Sequence, residues 1–71
     1  MNIETLTYIH ELMKKEVVTR LNARNYIANL ASKAEEENAS NAQTLRNQHT
    51  VAIQKHFDAV NALEDFEAKE W

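Results

Sequence analysis

Hydrophobic positions recur along the chain at intervals of three and four. Ile3, Leu6, Ile9, Met13, Val17, Ile27, Ala31 and Ala34 share one helical face, and Ala42, Leu45, Ala52, Ile53, Val60, Leu63 and Phe66 share a second. That spacing follows the helical turn and not the two-residue alternation of a strand. The pattern predicts an all-α chain with two long amphipathic helices, over residues 3–37 and 41–70, the first capped by Asn2.

The stripes are separated by Glu35-Glu36-Glu37-Asn38-Ala39-Ser40-Asn41, where apolar residues lapse and side chains that compete for backbone hydrogen bonds gather. Ser40-Asn41-Ala42-Gln43 matches a capping box, and Asn38 suits the left-handed residue that ends a helix. These signals predict an antiparallel, coiled-coil-like helical hairpin turning at 38–40, with arms of roughly 33 residues or about 50 Å. A single continuous helix of about 100 Å competes with it. Positions 31, 34, 38, 42, 45 and 49 continue one stripe through the proposed turn, and only Asn38 interrupts it.

Composition strengthens the helical reading. The 71 residues include no glycine and no proline, the residues that sharp turns between strands normally require. The lack of cysteine removes disulfides, thiolate metal ligands and a cysteine nucleophile. Met1 to Glu11 show no basic segment leading into an apolar core, and no apolar run approaches the roughly 20 residues of a membrane span. The expected setting is therefore cytoplasmic, with no membrane partner.

A two-helix hairpin has one seam, and the ten alanines leave few large side chains to fill it. Tyr8, Leu12, Val18, Leu21, Tyr26, Leu30, Val51 and Phe57 lie on the flanks, so more than one neighbouring helix is expected. We expect a homo-oligomer, most simply a homodimer of hairpins in a four-helix bundle. Its core and interface would be built from Leu6, Ile9, Met13, Val17, Ile27 and Ala31 on the first arm, and Leu45, Ile53, Val60, Leu63 and Phe66 on the second.

Four polar residues interrupt the stripes: Arg20 and Arg24 in the first, His49 and His56 in the second. A turn near residue 38 places Arg20 opposite His56 and Ile27 opposite His49. Such a polar layer can fix register and oligomer state in a coiled coil, or the arginine heads can simply reach water. A metal site is not expected, since His49 and His56 lie about 10.5 Å apart along the helix axis and no Glu-x-x-His pair occurs. No Gly-rich phosphate loop, Ser-centred elbow or HExxH motif is present, and the carboxylates cluster in charge runs at helix ends. The expectation is no enzyme and no cofactor.

The net charge of −3 divides unevenly: residues 1–35 carry five basic and four acidic side chains, residues 36–71 three and seven. Lys14, Lys15, Arg20, Arg24 and Lys33 make the stretch Lys14–Lys33 basic, with Glu16 its one acid. A small nucleic-acid-binding regulator using that face is the alternative function, although its charge is far sparser than a DNA-binding basic helix carries. Two oppositely charged faces attracting each other within an antiparallel hairpin account for the same distribution. Trp71 either folds over the end of the bundle or anchors a protein partner.

The opening Met1-Asn2-Ile3-Glu4-Thr5-Leu6-Thr7-Tyr8-Ile9-His10-Glu11-Leu12 and the ending Asp58-Ala59-Val60-Asn61-Ala62-Leu63-Glu64-Asp65-Phe66-Glu67-Ala68-Lys69-Glu70-Trp71 resemble small, uncharacterised helical proteins of bacterial prophages and other mobile elements. The resemblance implies a bacterial cytoplasmic setting and a helical-hairpin fold, with no activity and no catalytic or binding residues to transfer. The function expected is a structural or protein-interaction module, such as an assembly or regulatory adaptor of a mobile element.

Overall fold

A computed structural model describes residues 2–71. Two α-helices, α1 (Ile3–Glu36) and α2 (Ala42–Lys69), pack against each other as an antiparallel hairpin, and no strand occurs among the described residues. The chain therefore reverses, and the continuous helix is not adopted.

The ends of α1 are set by local hydrogen bonding. Asn2 is extended (φ −82°, ψ 167°) and its side chain accepts from the Thr5 N–H at 2.8 Å, which satisfies one of the donors a helix start leaves open. At the other end Asn38 adopts φ 52°, the left-handed region. The Ala39 N–H donates to the Ala34 carbonyl at 2.8 Å and the Asn38 N–H to the Glu35 carbonyl at 3.2 Å. This pair of bonds is the Schellman motif, with asparagine where glycine is usual.

The start of α2 departs from the expected capping box. Its cap is Asn41, not Ser40; Asn41 has φ −92° and ψ 7°, and no side-chain cap bond forms. An Ala42 N–H bond to the Ala39 carbonyl at 3.2 Å closes a tight turn that holds Ser40 within it, one residue too early to cap. Gln43, which would have completed the box, instead donates to the Asn47 side chain at 3.0 Å.

Along the seam the inward positions follow an alternating 3–4 repeat, as in a coiled coil. On α1 it runs through Leu6, His10, Met13, Val17, Arg20, Arg24, Ile27, Ala31 and Ala34; on α2 through Ala42, Leu45, His49, Ala52, His56, Ala59, Leu63 and Phe66. Among the described residues the buried apolar ones are Ala31, Ala34 and Ala52, and no large side chain is completely enclosed. The alanines concentrate near the turn, where small side chains let two backbones approach closely.

Ile3, expected on the apolar stripe, is 70% exposed. With 34 residues against 28, α1 is the longer helix, and its first turn overhangs the end of α2. The hairpin measures 53 × 15 × 11 Å, and its 16.1 Å radius of gyration compares with about 11 Å for a compact domain of this length.

Candidate functional site

Three polar contacts cross the seam. Near the turn, Arg46 of α2 pairs with Glu35 of α1. In the middle, the Arg24 guanidinium donates from Nη1 to His56 Nδ1 at 3.1 Å and lies 5.5 Å from the centre of the Phe57 ring. Guanidinium can only donate, so His56 accepts through an unprotonated Nδ1 and carries its proton on Nε2. At the open end, His10 donates from Nε2 to Glu67 at 2.9 Å while its ring stacks on Trp71 at 4.1 Å, with Phe66 beside both rings at 6.0 and 6.4 Å. Only 8% of His10 is exposed.

The polar layer expected from sequence is thus rearranged. Arg24, not Arg20, meets His56; Arg20 turns back along α1 to Glu16 at 2.6 Å. The two arginines have equal reach, and the bond from Arg20 to Glu16 holds its guanidinium along α1 while that of Arg24 is turned across the seam to the imidazole. His49 lies half-buried on the α2 side of the seam. Leu6, Ile9, Met13, Val17, Ile27, Leu45, Ile53, Val60, Leu63 and Phe66 are all half-buried, while Ala31 is enclosed. Trp71 folds back onto the end of the hairpin yet stays 56% exposed. His10, the residue most enclosed by this cluster, was missed as a seam position, although the 3–4 repeat through Leu6 and Met13 marks it.

Of the Lys14–Lys33 face, Lys14 pairs with Glu11 at 2.8 Å, Arg20 with Glu16, and Arg24 with His56. Hydrogen bonding from Lys14, reinforced by its charge, holds the exposed Glu11 carboxyl below the usual carboxylate range. The small stabilisation this represents exists above the ordinary carboxylate titration and is lost as pH falls through the lowered value.

Beside the seam, one flank carries an open groove of about 400 Å³ whose walls include Ala23 and Ile27 from α1 and Val51 and Ala52 from α2. It continues toward the open end into a hollow lined by Glu16, Arg20, Lys55, Asp58 and Ala59. Helical spacing places Leu12, Tyr26 and Leu30 along this same flank, and Val18, Leu21 and Phe57 on the opposite one. All six are exposed, by between 37% and 65%.

Comparison with known protein families, curated proteins and solved structures finds no match. Among the described residues no three or more His, Asp or Glu side chains converge as a metal site would, and no helix is long and apolar enough to cross a membrane. The features that stand out are surfaces: two apolar flanks on a hairpin whose enclosed core is alanine.

Proposed function

We propose that this chain is a self-associating interaction module, a hairpin that dimerises into a four-helix bundle and offers its remaining flank to a protein partner. The observation that carries this reading is the inversion of its apolar residues: the enclosed ones are alanines, while Tyr8, Leu12, Val18, Tyr26, Val51 and Phe57 stand in solvent. Enclosing a large apolar side chain is worth about 1.5–3 kcal/mol, so a single hairpin leaves most of its available stabilisation unused.

Surface area supports the same reading. The chain exposes 5243 Å², against about 4,500 Å² for a compact monomer of its mass. The excess is close to the roughly 800 Å² that each partner contributes to a standard protein interface. The role proposed for such a module is that of an assembly or regulatory adaptor of a mobile element. The nucleic-acid alternative draws no support from a face whose charge is sparse and whose Arg24 is turned into the seam against His56.

Sedimentation equilibrium over a wide concentration range tests the proposal. A monomer–dimer equilibrium, with a melting temperature that rises with concentration, is expected. One mass and one melting temperature at every concentration would remove it.

A further inference from the structure

Both apolar flanks are open, and the one that carries the groove has a charge pattern that selects a partner. In the hollow beside the groove, Glu16 precedes Arg20 by one turn on α1, and Asp58 follows Lys55 by about one turn on α2. Because the helices run antiparallel, both acids lie toward the open end of the hairpin and both bases toward the turn. The hollow is therefore neutral overall and polarised along its length.

We propose that this flank is a two-fold interface between two copies of the chain, packed with their long axes antiparallel and the axis of symmetry passing through that hollow. The assignment rests on the self-association reading above and adds to it which face associates and in which direction. A two-fold axis lying in the plane of the flank, at right angles to the long axis of the hairpin, lays the acids of each copy over the bases of the other, so the one surface is its own complement. A parallel arrangement would set acid on acid and base on base, which charge repulsion disfavours.

Shape agrees with charge. On the turn side of the hollow the flank is concave, at the groove between Ala23, Ile27 and Val51. On the open-end side, one turn beyond Glu16, Leu12 projects from it, 46% exposed. The same rotation that pairs the charges carries Leu12 of each copy toward the groove of the other. The Arg20–Glu16 pair, half-exposed on both sides, is weakly held within its own chain and can be shared across the interface.

The test is a charge swap on the full chain, with dimer Kd measured by sedimentation equilibrium and helicity checked by circular dichroism. Lys55 and Asp58 are both exposed, so their exchange leaves the hairpin itself intact. K55E places acid against acid at two symmetry-related positions and is expected to raise Kd by about tenfold or more at low salt. D58K is expected to do the same through its bases, and K55E/D58K to return Kd to within about threefold of the parent by restoring complementarity with the signs reversed. A parent dimer whose Kd ignores the single changes, or is not restored by the double one, overturns this face while leaving self-association in place. A parent chain that is monomeric throughout overturns the self-association reading and this interface with it.

Discussion

Replacing Asn38 by alanine and by glycine should move stability in opposite directions, and the signs report which fold the chain adopts. Asn38 holds φ 52°, where the Ala39–Ala34 and Asn38–Glu35 bonds close α1. A residue bearing Cβ is disfavoured there by roughly 1–2 kcal/mol, a cost asparagine offsets in part through its local hydrogen bonding. Alanine loses that compensation, and N38A should destabilise by about 0.5–1 kcal/mol. Glycine removes the steric cost but gains freedom in the unfolded chain, and N38G should stabilise by about 0.5 kcal/mol net. In one continuous helix the order inverts, because alanine then exceeds glycine by about 1 kcal/mol. Thermal melts followed by circular dichroism at one fixed protomer concentration resolve this, since 1 kcal/mol corresponds to about 4–8 °C for a domain of this size. N38A melting above N38G would refute the left-handed turn and the hairpin built on it.

Removing the Asn2 cap by N2A should cost about 1 kcal/mol, whereas S40A should change stability by less than about 0.3 kcal/mol because Ser40 makes no cap; equal effects in urea titrations would reinstate the capping box. Enlarging the enclosed Ala31 by A31L should cost about 1–3 kcal/mol by forcing the helices apart, and a neutral or stabilising result would show that the alanine seam is not tightly closed. A double-mutant cycle on Arg24 and His56 should return a coupling of about 0.5–1.5 kcal/mol, while the same cycle on Arg20 and His56 should return nothing measurable. H10A should release Trp71, shifting the emission of this sole tryptophan to the red and raising its quenching by acrylamide; an unchanged spectrum would contradict the stack on His10.

The helical period, the missing glycine and proline, and the left-handed preference of Asn38 together make the hairpin legible in the sequence. The second cap was misread because Ser40-Asn41-Ala42-Gln43 fits a capping box as a local string, while the tight turn between Ala39 and Ala42 decides which residue stands at the helix start. An apolar stripe alone selects Ile9 and hides His10 beside it, whereas a strict 3–4 count through Leu6 and Met13 places His10 on the seam. Counting from the turn sets Arg20 opposite His56, but Glu16 one turn back competes for its guanidinium, and Arg24 makes the bond across the seam. The self-complementary hollow could not be read from the linear sequence, since Glu16 and Asp58 are far apart along the chain and meet only once the hairpin closes.

The most direct test of the self-associating hairpin is light scattering combined with small-angle X-ray scattering on one sample. The account predicts a particle of twice the 8.2 kDa chain mass with a longest dimension near the 53 Å of a single hairpin, because antiparallel copies lie alongside and do not extend one another. A particle of chain mass at every concentration, or a rod of about 100 Å set by one unbroken helix, would contradict it.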